Sequence, residues 1–173
     1  MSSKMNSPYM GKFRITQTFK GAAHDGLDLV GIDSKEIHAT SNGKVVFAGW
    51  ENAKNEKQGF GKYVVILTDG KYYHFGHLSE IKCKVGDSVK ITDVIGIEGS
   101  TGNSTGPHCH YCVRTSMKPG TFLDINTISG IPNVQDGVYD DGYRPGQQKQ
   151  EKKSMKVTVE YDDHQFSGLL EEI

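Results

Sequence analysis

Short runs in which apolar and polar side chains alternate, separated by glycine-rich turns, dominate the chain, the period of strands with one buried face. The alternation predicts strands over Phe13–Thr18, Gly43–Ala48, Tyr63–Thr68, Lys71–Gly76, Ser88–Ile91, Val94–Glu98 and His108–Arg114. Between the third and fourth of these lies Asp69-Gly70, the strongest short signal for a two-residue hairpin turn. Residues 51–60 are polar and without period, so they read as a long loop able to wall one side of a groove. The glycine-, serine- and threonine-rich stretch 99–107 is suited to wall the other side. The fold class predicted is mostly β: a small antiparallel β-sheet domain with a loop-walled groove.

After about residue 136 the pattern changes. Residues 142–154 are polar and rich in lysine and glutamine, the composition of a solvated linker. Beyond them, 155–161 and 165–170 alternate again around an Asp-Asp-His turn, predicting a C-terminal β-hairpin extension. The organisation expected is therefore a domain over 1–141, a linker over 142–154 and a hairpin tail over 155–173. A lone hairpin is marginally stable in water. The tail is expected to dock on the main domain, to pair with another copy as a homo-oligomer, or to serve as a targeting element.

Composition narrows the class. At 173 residues the chain can bury a core without metal or disulfide staples. Glycine supplies 21 residues, about 12% against a typical 7%, which suits a turn-rich β protein. A net charge of −1 gives no electrostatic case for nucleic acid or anionic lipid. Three cysteines, an odd number, do not form a secreted disulfide framework. No run approaches the ~18 apolar residues of a membrane-spanning helix, so no membrane insertion is expected.

Candidate chemistry is concentrated in two stretches. Residues 99–113, GSTGNSTGPHCHYCV, place His108 and His110 two apart, so on a strand both imidazoles share one face and Cys109 takes the other. Residues 21–29, GAAHDGLDL, separate His24 from Asp28 by three residues, with Gly26 between them favouring an extended backbone. His24, Asp28 and one member of the His108/His110 pair supply two nitrogens and a carboxylate. Three protein ligands with a fourth position left for water is the pattern of a catalytic zinc site. Between the two stretches stand YYHFGHLS at 72–79, VGDSV at 85–89 and VIGIEG at 94–99.

That order of motifs (His-x-Gly-x-Asp, His-Leu-Ser, Gly-Asp-x-Val with Ile-Gly, then Gly-Ser-Thr-Gly-x-Ser-Thr-Gly-Pro-His-x-His) resembles the lysostaphin-type zinc endopeptidases of bacterial cell walls over roughly residues 11 to 125. The resemblance implies a zinc ion held by His24, Asp28 and His110, and catalytic histidines at His77 and His108. It implies a lysostaphin-like fold, a duplicated hybrid motif with the site in a groove between loops. It also implies a peptidoglycan substrate, cut in a stem peptide or a cross-bridge. Which of His77 and His108 takes the proton is left open by sequence. Where relatives read His-Leu-His-Phe-Glu, this chain reads HCHYC at 108–112. Cys109 is expected to be a core replacement, and Cys112 to share the face of His108 and His110, where it alters the surroundings of a ligand or competes for the metal.

The remaining histidines and cysteine have plainer expectations. His74 should face away from the site, His38 should be a solvated strand-edge residue, His164 exposed, and Cys83 structural or partly buried. The first ten residues are polar and lack a secretory core and cleavage site. Absence of a leader gives the expectation of a protein made in the cytoplasm and acting on the wall after release, as in phage-type lysis or a virion-associated enzyme; trimming would give the same absence. Two rivals share the fold: a non-catalytic wall-binding or activator module, and a lipoyl- or biotinyl-like carrier suggested by residues 85–96.

Overall fold

The computed structural model describes residues 5–144, together with the backbone strands at 155–161 and 164–170. Among the described residues the chain is nearly all β. Eight strands form one sheet: β1 (Lys12–Gln17), β2 (Gly26–Gly31), β4 (Gly43–Trp50), β5 (Lys62–Thr68), β6 (Lys71–Gly76), β8 (Ser88–Val89), β10 (Cys109–Arg114) and β11 (Val138–Asp140). Their spatial order is β11-β1-β2-β10-β6-β5-β4-β8, and every pairing is antiparallel. A second sheet of three strands comprises β3 (Glu36–His38), β9 (Val94–Ile97) and β7 (Glu80–Ile81). One short helix, α1 (Ile125–Ser129), is capped by Asp124, whose carboxylate accepts from the amides of Asn126 and Thr127.

Alternation decides what each face of the large sheet carries. On β2, Leu27 and Leu29 point into the core; on β10, Cys109, Tyr111 and Val113 do the same. Phe75 of β6, Val64 and Ile66 of β5, and Phe13 and Ile15 of β1 complete this apolar face. Ile37 of β3 and Ile95 of β9 bury against it from the small sheet. Each such branched or aromatic side chain taken fully out of water contributes about 1.5–3 kcal/mol. The same strands therefore present Asp28, His110, Cys112, Arg114 and His74 on the opposite face. A tie between the layers is formed by Glu98, which accepts from the Gly31 amide at 2.9 Å and from Lys35 Nζ at 2.8 Å.

The hairpin predicted at Asp69-Gly70 forms, with φ of 48° and 71° at the two turn residues and Thr68 paired with Lys71. Two positive φ values are what a type I′ turn requires. The tail strands β12 (Met155–Tyr161) and β13 (His164–Leu170) pair antiparallel in a sheet of their own, so the predicted hairpin is present. His164 begins β13; its side chain, like most of the predicted linker, lies outside the described residues.

Two expectations are corrected. His38 is not a solvated edge residue: it is 3% exposed, and its Nδ1 donates to the Thr92 carbonyl at 2.8 Å. His74 does not face away from the candidate site. It pairs directly with Cys112 across β6 and β10, which puts both side chains on the face that carries His110. The period-2 count from His74 to His77 fails because β6 ends at Gly76 and His77 adopts a left-handed φ of 62° outside the strand.

Candidate metal centre and active-site groove

Register brings the predicted ligands together. Asp28 on β2 lies directly opposite His110 on β10, and the two share the sheet face away from the core. His24 precedes β2 in a tight turn in which its amide donates to the Gly21 carbonyl and its carbonyl accepts from the Lys20 amide. Its ring is fixed by Nδ1, which donates to the Thr18 carbonyl at 2.7 Å and so leaves Nε2 facing Asp28 at 3.1 Å. His110 presents Nδ1 to the same Asp28 oxygen at 2.8 Å. One atom from each of His24, Asp28 and His110 lies within 4.8 Å of the other two. Burial by itself would raise the Asp28 carboxyl, but hydrogen bonds from His110 and His24 and the charge of His110 hold it well below the usual carboxylate range. An ionised carboxylate between two imidazole nitrogens is a donor set suited to a divalent cation such as zinc.

His77 and His108 stand beside this trio. His77 Nδ1 donates to the Thr101 carbonyl at 2.7 Å, and His108 Nδ1 donates to the Gly106 carbonyl at 2.8 Å. Because a carbonyl only accepts, both contacts place the proton on Nδ1 and leave Nε2 with a lone pair. The two rings lie 4.6 Å apart, and His108 Nε2 is 3.6 Å from Asp28 Oδ1. Burial, aided by His108 and His110, pushes the His77 imidazole down to about 4, against the pull of its bond to Thr101. It is therefore neutral at neutral pH. All five sequence-predicted residues line a groove of about 520 Å³. Glu51, Gly59 and Phe60 of one loop and Asn103, Ser104 and Thr105 of another line it. The two loops are not the opposite walls expected from sequence: the amides of Gly102 and Asn103 donate to the carbonyls of Glu56 and Gly59 at 2.9 Å, so they join into one rim.

Four groups around the site were not anticipated in the sequence. Asp25 Oδ1 lies 3.2 Å from His110 Nε2, and its other oxygen accepts from Arg114 Nε at 3.0 Å and Nη2 at 2.6 Å. The Arg114 guanidinium sits 5.1 Å from the centre of the Phe60 ring, which in turn packs 5.3 Å from His110. His74 is 1% exposed between Phe60 and Tyr63, with no hydrogen-bond partner on either nitrogen. Burial and the nearby Arg114 charge push its imidazole down to about 3. The parity of β10 was the available signal: positions 110, 112 and 114 share a face, so Arg114 is placed by the same rule as His110. Cys112 follows the sequence expectation, fully buried with its sulfur beside Asp25 and His110.

Residues 22–121, well over half of the chain, match peptidase family M23. The chain belongs to that family. It is 41% identical over 130 residues to lysostaphin of Staphylococcus simulans, an alignment covering 66% of this chain and 25% of that protein. The crystallised catalytic domain of that lysostaphin superposes with a TM-score of 0.56 at 31% identity, covering 68% of this chain and 90% of that domain. Identity to the glycyl-glycine endopeptidase ALE-1 of Staphylococcus capitis is 40% over 93 residues, covering 53% of this chain and 24% of that protein. The prophage-encoded M23 protein EnpA of Enterococcus faecalis superposes with a TM-score of 0.54 at 30% identity, covering 69% of this chain and 94% of the other. The chain thus spans about a quarter of the length of these curated relatives, and nearly the whole of the crystallised catalytic domains of lysostaphin and EnpA.

Proposed function

We propose that this M23 domain is a zinc-dependent endopeptidase that hydrolyses peptide bonds in the stem peptides or cross-bridges of bacterial peptidoglycan. The observation that carries the reading is Asp28 Oδ1 set 3.1 Å from His24 Nε2 and 2.8 Å from His110 Nδ1, beside two imidazoles whose Nδ1 atoms are held by backbone carbonyls, in an open groove. Two nitrogens and one carboxylate oxygen leave a fourth position for water or substrate, which separates a catalytic zinc site from a closed structural one. Zinc held there supplies Lewis acidity toward the scissile carbonyl and toward water.

The rest falls to the chain itself. Neutral His77, with Nδ1 engaged by Thr101, offers Nε2 as a proton acceptor at neutral pH. His108, locked by the Gly106 carbonyl, offers a second Nε2 within the same groove, placed to hydrogen-bond the developing oxyanion or to pass a proton to the leaving amine. The joined loops 51–60 and 99–107 give the groove a rim along which an extended peptide lies against the five residues. Similarity to a glycyl-glycine endopeptidase supports a glycine-containing cross-bridge as the bond cut. Similarity to a prophage-encoded M23 protein supports a phage-type lysis setting. The filled site argues against a non-catalytic module on the same fold.

Digestion of purified walls of known cross-link chemistry, with identification of the new amino termini, tests the substrate. Metal analysis of the same preparations tests the site. His110→Ala is expected to lose most bound zinc and nearly all cleavage. His77→Ala and His108→Ala are expected to keep zinc and lose turnover by about 10²–10⁴-fold. Full zinc occupancy in His24→Ala, Asp28→Ala and His110→Ala alike would overturn the ligand set. A Cys112→Ser variant stripped of metal would move the site to the sulfur.

A further inference from the structure

A metal-binding imidazole has two nitrogens, and something must decide which of them is offered to the metal. For His24, His77 and His108 a backbone carbonyl takes Nδ1, so Nε2 faces the groove. His110 is turned the other way. Its Nδ1 faces Asp28 at 2.8 Å, and its Nε2 faces the Asp25 carboxylate at 3.2 Å. We propose that Asp25 is a positioning residue for the metal centre: it holds the proton of His110 on Nε2, so that Nδ1 is the coordinating nitrogen, and Arg114 holds Asp25 in place. The role rests on the zinc site proposed above.

Three features carry it. A carboxylate can only accept, so without a metal both contacts of His110, Nδ1 to Asp28 and Nε2 to Asp25, call for a hydrogen on the ring nitrogen. A cation shared by Asp28 and His110 would take the place of the Nδ1 hydrogen, and the Nε2 hydrogen would stay with Asp25. The other Asp25 oxygen is committed to a two-armed contact with Arg114, at 3.0 and 2.6 Å, which fixes the carboxylate in one rotamer. Asp25 and Arg114 side chains are only 19% and 10% exposed, so water competes weakly for either. Arg114 also lies against Phe60, whose ring packs on His110, so the same cation braces the groove wall and the ligand.

Asp25, His110 and Cys112 are near enough to one another to suggest a second cation site instead. The surroundings oppose it. The Arg114 charge already occupies the carboxylate. The space beside Nε2 is closed too: a Cβ added at Gly26 would lie 2.7 Å from that nitrogen and 2.8 Å from the Cys112 Cβ.

Zinc affinity of the full chain, measured by competition with a chromophoric chelator, tests the pair. Asp25→Ala is expected to weaken zinc binding about 10–100-fold. Arg114→Ala should do nearly the same, and the double variant should be no weaker than Asp25→Ala, because Arg114 acts through Asp25. Asp25→Asn keeps the size and an accepting oxygen and should lose less, which guards against misfolding of the alanine variant. Imidazole ¹⁵N shifts of the zinc-loaded wild type should show His110 protonated on Nε2 and bound through Nδ1. An Asp25→Ala affinity within about two-fold of wild type, additive losses in the double variant, or a proton on His110 Nδ1 would overturn the proposal. So would two zinc equivalents per chain, one of them lost in Cys112→Ser. Wild type that binds no zinc, or Asp28→Ala that still binds it, would overturn the metal centre itself and this role with it.

Discussion

His74 shows how much one side chain can be asked to tolerate. It is buried between two aromatic rings, opposite Cys112, with neither nitrogen bonded, and its imidazole is pushed down to about 3 by burial and by Arg114. Its folded value lies below the ordinary ~6.5, so its contribution to stability is present above that pH. As pH falls below about 6.5 the unfolded chain takes a proton that the folded chain refuses, at about 1.36 kcal/mol per pH unit down to the folded value. In metal-free protein, urea unfolding at pH values between roughly 7 and 5 should show wild type losing about 1–2 kcal/mol more than His74→Leu. Equal slopes in the two proteins would mean that His74 titrates normally. Sequence parity misassigned this residue because a left-handed His77 lies between the strand and the site, and a backbone reversal is invisible in a count of positions.

At the scale of elements, the site follows from the register of β2 against β10. Asp28 opposite His110, and Gly26 opposite Cys112, put the proposed ligands on one face while Leu27, Leu29, Cys109 and Tyr111 fill the core on the other. A slip by one residue would exchange the two faces, so packing the core fixes where the candidate metal donors lie. Much of this was legible: alternation placed His110 on the strand that became β10, put His108 just ahead of it on the same face and separated both from Cys109, and the Asp-Gly hairpin joined β5 to β6. The short strands β3, β7 and β11 were not legible, because two or three residues are too few to show a period. Strand β2 was missed because its site face reads Gly-Asp-Val rather than a regular polar row.

The close approach at Gly26 gives this register a direct test. An added Cβ there would meet the Tyr111 carbonyl oxygen at 2.6 Å and the Cys112 Cβ at 2.8 Å, both on a buried strand with nowhere to move. Gly26→Ala is expected to cost about 1–3 kcal/mol and to weaken zinc binding by displacing His110. Gly106→Ala, with nothing within 4 Å of the new carbon, should stay within about 0.5 kcal/mol of wild type. Denaturant unfolding of the two variants side by side reads the difference, and equal stabilities would show that β10 shifts freely against β2.

For the whole molecule, the question is where the M23 domain ends. Every core and site residue named above comes from residues 5–141, and the last of the main sheet is β11, whose three residues pair with β1. Just beyond it, Asp141 Oδ1 accepts from the Gly11 amide at 2.8 Å, closing the end of β1. Side chains beyond this point contribute nothing to the groove among the described residues. A chain ending at Gly146 is therefore expected to bind zinc and to cleave a soluble wall peptide at an undiminished rate. A chain ending at Gly137 loses β11 and Asp141, leaving the edge of β1 and the Gly11 amide uncovered, and should melt several degrees lower even where it still binds metal. Thermal unfolding, zinc content and peptide cleavage on the two truncations and the full chain separate these outcomes. Loss of zinc or of peptide cleavage on ending at Gly146 would show that the tail strands complete the catalytic domain, and would move its boundary from about residue 141 to the C-terminus.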